Sequence, residues 1–259
     1  MIFLRIPIKK CSVNHIKEYS FDHLVIIGRD KLEALVQKFS DKGFLLTPIA
    51  RHNLGSINQL IMLDSTYIEI LGWEPDKPIQ RAEIAHQALG LDALVFRTND
   101  AKKTYEQLLA NGFDVNPVQF LSRESEFLGK SVLVKFNAVR FSKQPIPGIR
   151  IYFCEHLSSE YVWQEQWLKH HNQINRLQKI CIASPDIKSS TKLLGQLLNL
   201  SENHIVAHNE SAQLILPNIE LIIQKVDYLN AAQIVSAQVC TSPLNPIDFT
   251  IDRHFFETI

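Results

Sequence analysis

Glycine is scarce in this chain of 259 residues, which contains only nine. Loops that cradle phosphate groups need closely spaced glycines, because a backbone without side chains approaches a nucleotide most closely. The sequence has neither a P-loop nor the glycine pattern of a dinucleotide-binding fold, and it also lacks the G-x-S-x-G turn of many hydrolases. These absences argue against a nucleotide-dependent enzyme and against a serine hydrolase of that type.

Paired cysteines, unbalanced charge and long apolar runs are missing as well. The four cysteines stand far apart with no C-x-x-C pair, which argues against a disulfide framework and a zinc–thiolate site. Lys and Arg number 27, as do Asp and Glu, and no basic run occurs, so nucleic acid is not an expected partner. No apolar stretch reaches the roughly 18 residues that a membrane-spanning helix needs, so no membrane partner is expected either.

The N-terminal segment MIFLRIPIKKCSVNH is apolar first and basic second. A secretory signal has the opposite order and a longer apolar core. The segment therefore predicts a cytoplasmic protein.

What the sequence does contain is an internal repeat. Residues 21–44 and 91–113 each run through an aspartate, an apolar strand, a second aspartate and an amphipathic helix to a closing Gly-Phe. The apolar spacing predicts the helix, the aspartates Asp30 and Asp100 predict where it begins, and the glycine predicts where it ends. Because three more predicted strands follow each helix, each unit is predicted to be βαβββ.

Two weaker copies extend the repeat. The stretch 177–200 has the same strand, a capping aspartate at Asp186 and a leucine-rich helix, whereas the copy that begins at 232 has strands but no helix. Between the second and third copies, Val162, Trp163 and Trp167 have helical spacing and predict a linking helix. The predicted organisation is one domain over 20–156 with units at 20–72 and 90–156, a linking helix over 157–174, and a second, partly degenerate half over 175–259.

The repeat resembles the vicinal oxygen chelate superfamily, which includes glyoxalases, extradiol dioxygenases and bleomycin-resistance proteins. The resemblance is carried by Asp22-His23 at the start of the first strand, RHNLGSIN at 51–58, YIEIL at 67–71 and YFCEHLSSEYVW at 152–163, and it is strongest to the glyoxalase-like branch. It implies an α+β fold in which tandem βαβββ units form curled mixed sheets with the helices packed outside, and in which two units make a cup.

One glutamate interrupts the apolar strand TYIEIL at 66–71. A carboxylate in such surroundings must be paired, protonated, hydrated or bound to a metal, or the sheet face must be open to solvent. The resemblance implies that His23 and Glu69 are metal ligands, and alignment of YFCEHL with TYIEIL adds Glu155. Ala93 stands where the second unit would supply a histidine, so one of the four usual ligands is absent. Such a ligand set suits a divalent metal such as Zn, Mn, Fe or Ni.

Further residues are expected to surround the cup. His52 and Asn58 in RHNLGSIN are expected at its mouth, with His52 transferring protons, Glu155 exchanging between ligand and base, and Asn58 and Tyr67 contacting the substrate. Arg123 would hold a substrate carboxylate through two parallel hydrogen bonds. The alternatives are an ordinary hairpin at 51–58 and a solvated surface arginine.

Two functions remain open from the sequence. The first is a metal-dependent lyase, isomerase or oxygenase of glyoxalase or dioxygenase type that acts on a small oxygen-rich metabolite. The second is a metal-free binding protein for a drug or metabolite. The His23–Glu69 pair favours the first and Ala93 favours the second. Members of the superfamily pair their units within one chain or across a dimer, so a homodimer also remains open.

Overall fold

Two mixed β-sheets carry the fold in the computed structural model, which describes residues 19–53, 55–74, 81–241 and 248–259. The N-terminal segment on which the cytoplasmic prediction depends lies outside these residues. No helix in the described ranges has the length and apolar character needed to cross a membrane.

The first sheet has eight strands in the order β2-β3-β4-β1-β5-β8-β7-β6. They are β1 (Ser20–Arg29), β2 (Ala50–Arg51), β3 (Ile57–Met62), β4 (Tyr67–Gly72), β5 (Gly90–Arg97), β6 (Gln119–Phe127), β7 (Lys130–Arg140) and β8 (Arg150–His156). Strand β1 is parallel to β4, β5 is parallel to β8, and β1 and β5 join the two halves as an antiparallel pair. The two predicted units therefore form one continuous sheet with an internal repeat.

The second sheet has six strands in the order β10-β11-β12-β9-β13-β14. They are β9 (Arg176–Ser184), β10 (Ile205–Ala207), β11 (Ser211–Ile215), β12 (Glu220–Lys225), β13 (Gln233–Cys240) and β14 (Asp248–Asp252). Its first four positions repeat the order of the first unit, and β13 takes the place that β5 has in the first sheet.

The helices begin and end near the predicted signals. They are α1 (Leu32–Asp41), α2 (Ala82–Ala85), α3 (Ala101–Ala110), α4 (Ile187–Leu198) and α5 (Arg253–Phe256). Asp100 and Asp186 cap α3 and α4 by accepting a backbone hydrogen bond, whereas Asp30 does not cap α1, whose N-cap is Lys31. Gly43 and Gly112 have φ angles of +82° and +81°, the left-handed conformation in which glycine ends a helix without strain.

One hydrophobic core lies between the two sheets. It joins the outer face of the first sheet, the buried face of the second and the apolar sides of α1, α3 and α4. The helices therefore pack outside the curve of the first sheet, and the α+β prediction of tandem βαβββ units, curled mixed sheets and outer helices is confirmed.

The eight-stranded sheet curls until its end strands meet. His52, directly after β2, and Arg123 in β6 form an antiparallel bridge, and the Asn53 amide donates to the Ser122 carbonyl at 3.3 Å. A second apolar cluster that includes Val25, Met62 and Val134 covers the inside of this curve. The closed end strands and this lining turn the first sheet into a cup.

The predicted helix over 157–174 does not form. Two short 3-10 helices, Ser159–Tyr161 and Glu165–Trp167, occupy the segment instead. Val162 is buried in the cup cluster and Trp163 packs edge-on against Tyr67, so these apolar residues contact the sheet. Their spacing is explained by packing of an irregular segment rather than by a continuous helix.

Candidate functional site

The cup encloses a cavity that opens at its mouth and has both polar and apolar side chains on its wall. Six of the seven residues that the sequence singled out line it. The lining side chains are those of His23, His52, Asn58, Leu60, Tyr67, Glu69, Arg81, Leu121, Arg123, Phe136, Ala138, Arg140, Tyr152 and Cys154.

A β-bulge positions the first histidine. In the pairing of β1 with β5, Phe21 faces Phe96 and His23 faces Val95, so Asp22 is the extra residue of the bulge. A regular strand would turn Asp22 and His23 to opposite faces. Because of the bulge, the Asp22 carboxylate reaches Nδ1 of His23 at 2.7 Å. The Asp22 side chain is fully buried and also accepts hydrogen bonds from Arg97 and His156.

His23 is thereby held in one orientation and one tautomer. Nδ1–H donates to Asp22, which leaves the lone pair of Nε2 directed into the cavity. The Tyr152 hydroxyl donates to this atom at 3.1 Å, and the Tyr67 ring stacks on the imidazole with centroids 4.3 Å apart. Burial raises the pKa of Tyr152, so its hydroxyl keeps the proton that this hydrogen bond needs.

Glu69 stands opposite His23 across the cavity floor. Its Oε2 lies 3.6 Å from Nε2 of His23, and its Oε1 lies 3.6 Å from Nε2 of His52 and accepts from the Asn58 amide at 2.6 Å. Burial alone would raise the pKa of Glu69, but the nearby imidazoles of His52 and His23 and the hydrogen bond from Asn58 lower it well below the usual range. Glu69 is therefore an ionised carboxylate inside the cup.

His52 sits at the seam where the sheet closes. The Asn58 amide nitrogen donates to Nε2 of His52 at 2.9 Å as well as to Glu69, so Asn58 holds the two side chains together. Burial lowers the pKa of His52, although Glu69 acts in the opposite direction. A neutral imidazole with its acceptor nitrogen beside the cavity is able to take up a proton.

Glu155 does not join this cluster. Its carboxylate accepts hydrogen bonds from the Ala101 amide at the start of α3 and from Asn137, and it lines a separate groove rather than the cavity of the cup. The reason is the register. Glu69 pairs with Val25 and Tyr152 pairs with the corresponding Val95, so Tyr152 rather than Glu155 is the counterpart of Glu69. A shift by three residues reverses the face of a strand.

The sequence reasoning therefore missed Asp22 and Tyr152 as site residues. Asp22 was noted as part of the Asp22-His23 motif. Its contact with His23 depends on the bulge, and no pattern of residues predicts that bulge. Tyr152 stands in the quoted segment YFCEHL, and the strand pairing would have found it. Glu69 pairs with Val25, two residues after His23, and Tyr152 pairs with Val95, two residues after Ala93.

The residues fit a divalent metal in part. Nε2 of His23 and Oε2 of Glu69 lie 3.6 Å apart, and Asp22 orients the histidine in the way that carboxylates orient metal-bound histidines. A metal on Nε2 would take the place of the hydrogen bond that Tyr152 donates to that atom. Most catalytic zinc sites use three protein ligands. Here the remaining positions would fall to water or to oxygens of a substrate.

A second group of potential donors does not fit a metal. Within the described ranges, Asp22, Cys154 and His156 form a group of three with donor atoms less than 4.8 Å apart. Asp22 already accepts from Arg97, His23 and His156, and burial raises the pKa of Cys154 well above its usual value. A saturated carboxylate and a protonated thiol indicate a hydrogen-bond network rather than an ion site.

Comparison with solved structures supports the fold alone, because all identities are low. A hypothetical protein from Staphylococcus aureus is 16% identical with a TM-score of 0.70, covering 88% of this chain and 93% of that chain. A fusion of a xylose isomerase-like TIM barrel with 4-hydroxyphenylpyruvate dioxygenase is 13% identical with a TM-score of 0.51, covering 85% of this chain and 36% of that chain.

Comparison with family models identifies a family in addition to the fold. A search among curated proteins finds no match. The family model described as "Glyoxalase-like domain" matches residues 21–198, which include both units of the cup and the first strand and helix of the second sheet. The chain belongs to the glyoxalase-like domain family.

Proposed function

We propose that the cup is the active site of a glyoxalase-like enzyme that acts on a small oxygen-rich metabolite as a metal-dependent lyase, isomerase or oxygenase. The observation that carries the proposal is the pair formed by His23, oriented by Asp22, and the ionised Glu69, 3.6 Å apart in an enclosed cavity. A divalent metal such as Zn, Mn, Fe or Ni, when bound there, would polarise two neighbouring substrate oxygens.

The side chains have distinct parts in this proposal. His23 and Glu69 hold the metal. His52 accepts or returns a proton, because its imidazole is neutral and its Nε2 lies beside the cavity. Asn58 fixes the relative position of His52 and Glu69, and Tyr67 keeps the His23 ring in place by stacking.

Metal content tests the ligand assignment. Protein purified without chelator should carry about one equivalent of a transition metal, and His23→Ala and Glu69→Gln should both lose it. Glu155→Gln is the matched control, because this glutamate lies outside the cup and should leave the metal content unchanged. Equal loss in all three variants, or full metal in His23→Ala and Glu69→Gln, would overturn the assignment.

Proton exchange tests the enzyme itself. Small 2-hydroxy and 2-oxo compounds incubated with the protein in deuterium oxide should acquire deuterium at the carbon next to the polarised oxygen, as measured by proton NMR. His52→Gln should slow the exchange, since a general base typically contributes about 10²–10⁴-fold. The same rate in the variant and the original protein would exclude His52 as the base.

A metal-free binding protein is the second candidate. It is favoured by Ala93 and Tyr152, which stand in the second unit at the positions that His23 and Glu69 occupy in the first. In that case ligands should stabilise the protein against heat without metal and without deuterium exchange. Three further points stay predictions. They are a cytoplasmic location, a small molecule rather than nucleic acid or a membrane as the partner, and a possible homodimer.

A further inference from the structure

Two buried arginines of the first sheet have opposite surroundings. Arg150 is 9% exposed and binds the Asp92 carboxylate through both Nε and Nη2. Arg123 is 6% exposed, and its guanidinium lies 5.9 Å from the centre of the Phe136 ring. Within the part of the chain that the structure describes, Arg123 has no carboxylate at ion-pair distance. Among the described residues, Arg150 thus has a carboxylate partner and Arg123 does not.

An uncompensated buried cation is unfavourable. Burial lowers the pKa of Arg123, and attraction from the more distant Glu69 offsets this only in part. For Arg150, Asp92 more than offsets burial and raises the pKa. Arginine nevertheless stays charged at neutral pH, so the cost of burying Arg123 is real. A bound anion would remove that cost.

The position of Arg123 also indicates a ligand. The residue lines both the cup and an outer groove beside Ala50 and Glu126, at the seam where the sheet closes. A cation on the wall of a cavity attracts anions from solution.

We propose that Arg123 is the binding site for an oxyanion group of the substrate, a carboxylate or a phosphate, and that the cup therefore selects small oxygen-rich metabolites that carry one such group. The planar guanidinium matches the two oxygens of either group in a bidentate contact. This inference rests on the proposed function, because it names the class of substrate for the same cavity.

Probe molecules of matched size test the subsite. Glycolate, inorganic phosphate and the neutral amide glycolamide are titrated into the protein and binding is followed by NMR. Glycolate or phosphate should bind more tightly than glycolamide, and Arg123→Gln should weaken anion binding by about ten- to a hundredfold. Arg51→Gln is the control, since Arg51 is 67% exposed, pairs with Glu74 and should change nothing. Binding of glycolate alone identifies a carboxylate, and binding of phosphate alone identifies a phosphate group.

Thermal unfolding separates binding from folding. Arg123→Gln removes a cation without a partner and should leave the melting temperature unchanged or raise it, whereas Arg150→Gln breaks a buried ion pair and should lower it. An equal fall in both variants would assign Arg123 a structural part and overturn the proposal.

The two proposals fail separately. If neither anion binds, or if both bind Arg123→Gln as tightly as the original protein, the oxyanion site is wrong, and the metal and deuterium tests still decide the proposed function. If anion binding depends on Arg123 while His23→Ala keeps its metal and His52→Gln keeps its exchange rate, the oxyanion site stands and the proposed mechanism is wrong.

Discussion

The two sheets are built from the same unit and end differently. In the first, β2-β3-β4-β1 is followed by four more strands, and the last of these returns to meet the end of β2. In the second, β10-β11-β12-β9 is followed by β13 and β14 alone among the described residues. The second sheet therefore stops two strands short of the number that closes the first.

This difference decides what the inner face contains. Val25 in β1 is fully buried, whereas Cys181, at the corresponding place in β9, is only half-buried, as are Lys179 and Gln213 nearby. Without strands to close the curve, a charged or amide side chain stays hydrated at no cost. Closure of the sheet, rather than the βαβββ unit itself, therefore buries charged side chains, and these need partners inside the cup.

The largest expected difference in unfolding free energy between variants of the two sheets comes from removing a carboxylate. Asp22→Asn removes a fully buried acceptor that holds His23, His156 and Arg97. The free energy of unfolding in urea should fall by about 3–5 kcal/mol, because breaking a buried ion pair leaves its partner charge uncompensated. Glu220→Gln in the open sheet should change it by less than about 0.5 kcal/mol. A similar fall in the free energy of unfolding in both variants would show that the hydrogen bonds to Asp22 do not distinguish the cup from the open sheet.

Acid should destabilise the cup through the same carboxylate. Burial would raise the pKa of Asp22, but the charges and hydrogen bonds of His156 and His23 lower it well below the usual range. A carboxylate whose pKa is lower in the folded state stabilises fully above its unfolded pKa of about 4, and this contribution is lost as the pH falls. Urea unfolding measured from pH 7 down to pH 3 should show the loss beginning below about pH 5. The dependence should be weaker in Asp22→Asn, and an identical acid limb would contradict this explanation.

Shortening a side chain at equivalent positions of the two sheets should show how tightly each inner face is packed. Val25→Ala removes two methyl groups from a fully buried side chain and should cost about 2 kcal/mol, because the surrounding cup wall relaxes only in part. Cys181→Ala, on the open face of the second sheet, should cost less than about 0.5 kcal/mol. Unfolding in urea measures both, and an equal cost would mean that both inner faces are packed alike.

The sequence predicts those parts of the structure that depend on local patterns. Apolar spacing, capping aspartates and closing glycines are properties of about twenty consecutive residues, and they predicted the βαβββ units. Glu69 was singled out because a charged residue in an apolar strand is unusual, whereas His23 and the α+β class came from the family resemblance that these units carry. The parts that failed depend on pairing between strands. The bulge at Asp22 and the place of Tyr152 opposite Val95 follow from register, and a register error of an odd number of residues sends a side chain such as that of Glu155 to the wrong face.

The smallest expected effect is a shift in the titration of His52. Burial lowers the pKa of His52, while the nearby carboxylate of Glu69 raises it. Glu69→Gln removes the charge and leaves an amide of nearly the same shape, so the pKa of His52 should fall further, as followed by NMR of its ring protons between pH 4 and pH 8. Glu220→Gln, on the sheet that does not close, should leave this titration unchanged. An unchanged pKa of His52 in Glu69→Gln would mean that the two side chains do not meet in solution, and that the cup holds its charges apart rather than in one cluster.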